Sequence, residues 1–88
     1  MNRLELLRSM PCCNCGADPR SQVAHSNFGE HGKGKSIKAD DKYTIPLCHT
    51  CHADFDQYRH MTREQSKAWF MEKWTFINGV ISEIQAQN

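Results

Sequence analysis

Two Cys-x-x-Cys pairs constrain this chain more than any other feature of its sequence. The pairs are Cys12–Cys15 and Cys48–Cys51. A Cys-x-x-Cys turn directs two sulfur atoms at one centre, so two such turns supply the four thiolates of a tetrahedral zinc site. The chain has five cysteines, an odd number, which also favours metal binding over a set of disulfide bonds. Cys13 is the extra thiol, and it is either a bystander or a substitute for Cys12 in the site.

The length and composition agree with a small domain that a metal ion stabilises. The chain has 88 residues, of which 39% are hydrophobic, and a core of that size gains from a metal site. It has no apolar stretch long enough to span a membrane. Residues 1–10 include Arg3, Glu5 and Arg8, where a secretory signal needs an apolar segment. We therefore expect one domain over residues 1–88, in a reducing cytoplasm and with no membrane partner.

Local patterns predict an α+β fold. The expected elements are a helical turn at 3–8, a strand at 21–26, a strand at 43–47 and a helix at about 50–58. Pro46 confines the second strand to an edge or a strand end, because proline has no N–H to donate to a ladder. Gly16 can supply the positive φ that a cysteine turn often requires. We expect three segments: an N-terminal helix in 1–11, the cysteine turns with a hairpin and helix in 12–58, and a C-terminal helix.

The C-terminal helix, over residues 62–86, is the clearest periodic segment. Thr62 and Gln65 match a capping box, with Thr62 as the N-cap. Apolar residues then recur at spacings of four and three, on one helix face: Phe70, Trp74, Ile77, Ile81 and Ile84. This stripe predicts either core packing or the interface of a homodimer. Gly79 lies within the stripe and, as a poor helix former, predicts a break or kink there.

A segment rich in glycine and lysine lies between the two cysteine pairs. The net charge of the chain is only +1, so its total charge does not indicate a nucleic-acid binder. The lysines are nevertheless clustered, at Lys33, Lys35, Lys38 and Lys42. Lysines neutralise phosphates, and the interleaved glycines let the backbone approach them. The segment is therefore either a flexible, solvated loop or a surface that binds the phosphates of a nucleic acid.

Two histidines and an aspartate can carry chemistry. His52 and Asp56 are four residues apart on the predicted helix, so they project from one face and can share a divalent metal ion. His25 lies on the first predicted strand. A base and a metal ion are the minimum equipment for hydrolysing a phosphodiester, because the base activates water and the metal stabilises the developing charge.

The order of these motifs resembles the HNH endonucleases, whose ββα-metal unit is a β-hairpin followed by a metal-bearing helix. The matching motifs are Ala24-His25, Gly29–Lys35, Lys38–Asp41 and Pro46-Leu47-Cys48-His49-Thr50-Cys51-His52. Within that superfamily the chain looks closest to the phage nucleases of the recombination-enhancement type and their small relatives. The resemblance implies a ββα-metal unit with flanking helices, a structural zinc, catalytic Mg²⁺, Mn²⁺ or Ni²⁺, and DNA as the partner. It also implies a phage or prophage origin, and hence the cytoplasm of a bacterial host.

The resemblance also implies a role for each matching residue. His25 is similar in position to the general base, and His52 to the metal-binding histidine of the helix. Asp56 falls where the family often has a second helix ligand. Lys38 and Asp41 match the Lys-x-x-Asp that precedes the second strand, and we count them with the catalytic residues.

Two departures from the family pattern leave alternatives open. Ala24 stands where many HNH enzymes carry another metal ligand, so His25 is either the base or a ligand. The middle asparagine of the motif would fall near Tyr43 and is absent. The competing interpretation is a zinc module that binds nucleic acid or protein without cleaving it.

Overall fold

The computed structural model describes residues 2–17, 21–26, 28, 41–57 and 61–86, and these residues form three helices and a two-stranded sheet. The elements in chain order are α1 (Arg3–Ser9), β1 (Gln22–His25), β2 (Thr44–Leu47), α2 (His49–Asp56) and α3 (Arg63–Ala86). The predicted α+β class is confirmed. Among the described residues, no helix is both long enough and apolar enough to cross a membrane.

The two strands pair in antiparallel register and direct their side chains to two faces. Ala24 lies opposite Ile45, and His25 lies opposite Thr44. Because successive residues of a strand point to opposite faces, Ala24 and Ile45 share one face while His25 and Thr44 share the other. Pro46 lies within β2, where the described sheet offers only β1 as a neighbour. β2 is therefore an edge strand, as the proline predicts.

The Ala24 face of the hairpin packs against α2 and the first half of α3. The buried cluster on this side comprises Cys12, Ala24, Phe28, Ile45, Leu47, Phe55 and Phe70. Phe55 of α2 stacks on Phe70 of α3, with ring centroids 5.5 Å apart. Phe28 meets both rings edge-on, at 6.4 and 6.2 Å. These rings hold α2 against the hairpin and so fix the helix that carries His52 and Asp56.

The opposite face of the hairpin packs against α1 and the second half of α3. The buried cluster here comprises Leu6, Leu7, Met10, Ile77 and Ile81, with Val23 packed against it. Arg3 joins the three elements, because its Nε donates to Thr44 Oγ1 at 2.8 Å and its Nη1 donates to Asn78 Oδ1 at 2.8 Å. Helix α1 thus covers the side of the hairpin on which His25 lies.

Helix α3 begins with the predicted capping box. Thr62 Oγ1 accepts from the backbone N–H of Gln65 at 3.1 Å, and Gln65 Oε1 accepts from the N–H of Thr62 at 3.0 Å. The apolar stripe is confirmed as core for Phe70, Ile77 and Ile81, which are all buried. Ile84 at its end is 36% exposed, and the homodimer through this helix stays a prediction.

The expected break near Gly79 is wrong, because α3 is continuous from Arg63 to Ala86. An interior glycine costs a helix about 1 kcal/mol relative to alanine, whereas burying an isoleucine side chain contributes about 1.5–3 kcal/mol. Ile77 and Ile81 flank Gly79 and are both buried in the cluster with α1. Their packing outweighs the local preference of the glycine.

Candidate metal centre

The four paired cysteines come together at one point. The Sγ atoms of Cys12, Cys15, Cys48 and Cys51 all lie within 4.8 Å of one another, and Cys15 Sγ is 3.7 Å from Cys48 Sγ. A Zn–S bond of about 2.3 Å in a tetrahedron places sulfurs about 3.8 Å apart. All five cysteines are free thiols. The four can hold a metal ion such as zinc, and they fit its preferred donor set and geometry.

Each cysteine turn is held by hydrogen bonds from its own backbone. In the first turn, the Gly16 N–H donates to the Cys12 carbonyl at 2.9 Å, and Gly16 has the expected positive φ, 78°. In the second turn, Cys48 is the N-cap of α2, and its Sγ accepts from the Cys51 N–H at 3.5 Å. The Cys13 N–H donates to the Pro46 carbonyl at 2.9 Å. The first turn is thereby attached to the strand that leads into the second.

The environment of the four sulfurs favours one thiolate and disfavours others. Burial raises the pKa of Cys12, but hydrogen bonds from the backbone N–H groups of Cys15, Cys48 and Asn14 outweigh it and lower that pKa to about 6. Burial raises the pKa of Cys51 to about 12, although Asn14 Nδ2 donates to its Sγ at 3.4 Å. Hydrogen bonds to the sulfurs of Cys48, Cys15 and Cys12 add to that increase, because a thiol that donates to a neighbouring sulfur keeps its proton. Metal binding requires the thiolate forms and releases these protons, so the affinity of the cluster for a metal ion depends on pH.

Cys13 stays outside this cluster. It packs beside both hydrophobic clusters, and burial is the main cause that raises the pKa of its thiol to about 11. Its sulfur is not one of the four that lie within 4.8 Å of one another. The structure thus supports Cys13 as a bystander.

His52 and Asp56 form a pair on the exposed side of α2. His52 Nε2 lies 3.3 Å from Asp56 Oδ2, and His52 Nδ1 lies 2.8 Å from Gln22 Oε1. An amide oxygen only accepts, so Nδ1 donates to Gln22, and the ring directs its other nitrogen, Nε2, at the carboxylate. Neighbouring ligands of an octahedral ion with bonds of about 2.1 Å lie about 3.0 Å apart. The pair therefore fits two adjacent ligands of a divalent cation.

Gln22 and His49 complete the cleft around this pair. Gln22 Nε2 lies 3.4 Å from His49 Nδ1, so one amide contacts both histidines of the helix. The cleft has a volume of about 310 Å³, and its lining comprises Gln22, His49, His52, Ala53, Asp56 and Gln57. It is an open depression on the surface, large enough for a hydrated ion and a phosphate group.

His25 and Asp41 form a second pair, at the far end of β1. His25 Nε2 lies 2.8 Å from Asp41 Oδ1, and the Asp41 carbonyl accepts from Thr44 Oγ1 at 2.7 Å. If Nε2 carries the proton, it donates to the carboxylate and leaves Nδ1 as an acceptor. The His25 side chain is 24% exposed. The pair has the form of a base oriented by a carboxylate.

The two pairs do not merge into one site. Gln22, which contacts His52, lies three residues before His25, or about 10 Å along an extended strand. Ala24, on the face that packs with α2, is fully buried, whereas His25 lies on the face that it shares with Thr44. Within the part of the chain that the structure describes, only the four cysteines form a group of three or more potential metal ligands.

The lysine segment lies mostly outside the described residues, which exclude Lys33, Lys35 and Lys38. Lys42 is exposed, and its Nζ lies 5.2 Å from the centroid of the Tyr43 ring. Tyr43, where the resemblance expects an asparagine, stacks on Trp74 at 5.2 Å. Trp74 Nε1 also donates to the Lys42 carbonyl at 2.7 Å. Helix α3 thus fixes the end of the lysine segment next to Asp41.

Gln22 is the site residue that the sequence alone did not indicate. Its position at the start of a strand carries no motif, and a glutamine at an exposed strand end is ordinarily a solvated residue. Its contacts with His49 and His52 arise only when β1 and α2 are packed together. One sequence signal could have indicated Gln22. Side chains alternate between the two faces of β1, so the position two residues before Ala24 is directed to the same face as Ala24, toward α2.

Comparison with known protein families gives a match over most of the chain. A family model described as "Protein of unknown function (DUF968)" matches residues 2–67, which include the cysteine cluster, both histidine pairs and the start of α3. No curated protein and no solved structure matches the chain.

Proposed function

We propose that this chain, which belongs to the family of proteins of unknown function called DUF968, is a metal-dependent DNA endonuclease of the HNH type. Its four cysteines hold a structural zinc ion, and a second divalent ion, Mg²⁺, Mn²⁺ or Ni²⁺, binds to His52 and Asp56. The reaction is hydrolysis of a phosphodiester bond. The motif order of the sequence supplies the proposed family, and the arrangement of His52 and Asp56 supports the chemistry.

The observation that carries the proposal is the convergence of His52 Nε2 and Asp56 Oδ2 at 3.3 Å. Without a proton or a cation between them, a nitrogen lone pair and a carboxylate oxygen at that distance repel each other. Gln22 accepts from Nδ1, as partners of ligating histidines generally do. A divalent ion there would polarise a phosphoryl oxygen and stabilise the leaving oxygen. The exposed cleft leaves room for the phosphate.

The zinc cluster has a positioning role in this proposal. His52 directly follows Cys51, and Cys48 caps the same helix. Because both cysteines are zinc ligands, the rotation of α2 about its axis is fixed by the ion. With Phe55 packed on the other side of the helix, His52 and Asp56 are held toward the cleft.

The His25–Asp41 pair is proposed as the base. Asp41 holds Nε2, and Nδ1 would take a proton from the attacking water. A base acts only when it lies within hydrogen-bond reach of that water. Because His25 lies about 10 Å along β1 from the strand end that contacts His52, the proposal requires β1 and α2 to move closer when the substrate binds, so that Nδ1 reaches the water that attacks the metal-bound phosphate. The lysines, with Lys38 and Lys42 nearest to Asp41 in sequence, would hold the flanking phosphates.

A second function is favoured by one specific observation. Ala24 occupies the strand position that packs toward α2, and His25 lies on the opposite face. A zinc module that binds nucleic acid or protein without cleaving it has no need of a base beside a metal. In that interpretation the cysteine cluster and the lysines carry the function, and His52 and Asp56 form an ordinary helix-surface pair.

Plasmid cleavage separates the two functions. Zinc-loaded protein should nick or cut plasmid DNA when Mg²⁺, Mn²⁺ or Ni²⁺ is added and should stop when EDTA is present. His25→Ala should lower the rate by about 10²–10⁴-fold with the metal content unchanged, whereas Asp56→Asn should lose the second ion together with activity. Asp54→Asn, a change of the same kind two residues earlier on α2, serves as the matched control and should stay active.

Two results would contradict the proposal, and a third would change the role assigned to His25. Wild-type protein that binds DNA but cuts nothing with any of the three ions would favour the binding module. Equal losses of cleavage activity and of the second ion in Asp54→Asn and Asp56→Asn would show that the cleft has no specific role. Loss of the second ion in His25→Ala would make His25 a ligand, and the base would have to be another group.

A further inference from the structure

Gln22 is the only polar side chain that β1 contributes to the cleft of His49, His52 and Asp56 among the described residues. It lies at the start of the strand and is exposed, so the core does not need it. Its amide nevertheless makes two contacts with α2, at 2.8 Å to His52 Nδ1 and at 3.4 Å to His49 Nδ1. An exposed glutamine that joins two histidines of another element needs an explanation beyond solubility.

The chemistry of the amide assigns the protons in these contacts. The oxygen accepts, so His52 Nδ1 carries hydrogen; the nitrogen donates, so His49 Nδ1 carries a lone pair. His52 Nε2 is then the ring nitrogen directed at Asp56 Oδ2, 3.3 Å away. In water, a free histidine exchanges between its two tautomers and its ring rotates. The contact with Gln22 keeps hydrogen on Nδ1 and holds Nε2 beside the carboxylate, where the two atoms can bind the same cation.

We propose that Gln22 is a positioning residue that holds His52 in the Nδ1–H tautomer and thereby sets the affinity of the cleft for a divalent cation. The metal part of this inference rests on the proposed function, whereas the tautomer part does not. Outer-shell partners of ligating histidines are typically worth about 10–100-fold in metal affinity. His49 has the smaller role of holding the amide in the orientation that His52 needs, because its contact is the longer one.

Two variants of Gln22 separate positioning from mere space filling. Gln22→Met keeps the length of the side chain and removes both the acceptor and the donor. Gln22→Glu keeps an acceptor for His52 Nδ1 and loses the donor to His49. Gln85→Met makes the same change as the first variant at an exposed position near the end of α3, and it is the matched control.

The first measurement reads the tautomer directly. Long-range ¹H–¹⁵N correlation spectra of zinc-loaded protein, with no second metal added, distinguish Nδ1–H from Nε2–H imidazoles. We expect His52 in the Nδ1–H form in wild type, Gln22→Glu and Gln85→Met, and a shift toward the Nε2–H form in Gln22→Met. An unchanged His52 tautomer in Gln22→Met would overturn the inference whether or not the protein is a nuclease.

The second measurement is Mn²⁺ affinity, read from the electron paramagnetic resonance signal of free Mn²⁺. This ion prefers oxygen ligands such as carboxylate and water, binds more weakly than zinc to a given site, and therefore does not displace zinc from thiolates. Gln22→Met should bind about 10–100-fold more weakly than wild type, and Gln22→Glu at least as tightly as wild type. Equal Mn²⁺ affinity in Gln22→Met and Gln85→Met would overturn the inference and leave the proposed function intact. A wild type that binds no Mn²⁺ but shows the tautomer shift would overturn the proposed function and leave the positioning by Gln22 standing.

Discussion

Replacing Cys48 by serine should unfold the domain through the loss of one zinc ligand. Cys48 has two roles, as a ligand candidate and as the N-cap of α2, where its Sγ accepts from the Cys51 N–H. Serine is among the best N-cap residues, so Cys48→Ser keeps the cap and removes the ligand. Replacement by alanine would remove the cap and the ligand together, whereas replacement by serine removes the ligand alone.

The magnitude follows from comparing the metal site with the stability of a small domain. Structural zinc sites contribute an apparent free energy of about 10–16 kcal/mol at neutral pH, by the order of magnitude found in zinc-finger peptides. Small domains are stable by about 5–15 kcal/mol in total. Half of the zinc contribution is already as large as the total stability of many small domains. The hydrophobic core of a chain with 39% hydrophobic residues cannot replace a loss of that size. Cys13→Ser should instead cost only about 1–3 kcal/mol, the desolvation cost of a half-buried hydroxyl.

The assay is chemical denaturation followed by tryptophan fluorescence, together with zinc content by atomic absorption. Trp69 packs beside Phe55 at 5.5 Å and so reports on the cluster next to α2. Cys48→Ser should lack zinc and show no cooperative transition, as should wild type after chelation, while Cys13→Ser should keep zinc and a cooperative transition. Small and equal losses in both variants would refute the assignment of the four cysteines to one zinc site.

Three further predictions concern other parts of the chain. Gly79→Ala should stabilise the protein by about 1 kcal/mol in the same denaturation assay, because Gly79 is helical and a Cβ there meets nothing within 4 Å; a destabilised variant would contradict this. Alkylation of Cys13 should be slow in zinc-loaded protein and accelerate about tenfold per pH unit up to about pH 11, because burial raises its pKa to about 11 and the thiolate is the reactive form; a plateau below about pH 9 would contradict the burial. Replacing Lys33, Lys35, Lys38 and Lys42 together by glutamine should reduce the salt dependence of duplex DNA binding by about 0.9 in slope for each phosphate that is no longer neutralised; an unchanged slope would remove this segment from the binding surface.

The sequence predicts features that depend on local spacing. The cysteine turns, the positive φ of Gly16 and the capping box of Thr62 and Gln65 are each decided within four residues, and the structure has all of them. The prediction at Gly79 failed for the complementary reason. The helix continues there because Ile77 and Ile81 pack against α1. The spacing of residues within the helix does not predict contacts with another element.

The candidate site is predictable only in part for the same reason. The spacing of His52 and Asp56 on one helix is sufficient to place them together, and they are 3.3 Å apart. The relation of His25 to them depends on the register of the hairpin and on which face α1 covers. No motif encodes the register or the face that α1 covers. In the register that forms, His25 lies on the face that it shares with Thr44 and not on the face that packs against α2.

The cysteine cluster and the His52–Asp56 cleft share one helix, and this affects how chelation must be interpreted. Cys51 and His52 are consecutive in α2, so removing zinc releases the helix that carries the second site. EDTA would then abolish activity even if only the structural ion were lost. We expect that brief chelation which leaves one zinc per chain will stop cleavage, and that Mn²⁺ alone will restore it. If cleavage instead continues while one zinc per chain is the only metal left, the structural ion is the sole metal that the reaction needs, and the second site has no catalytic role.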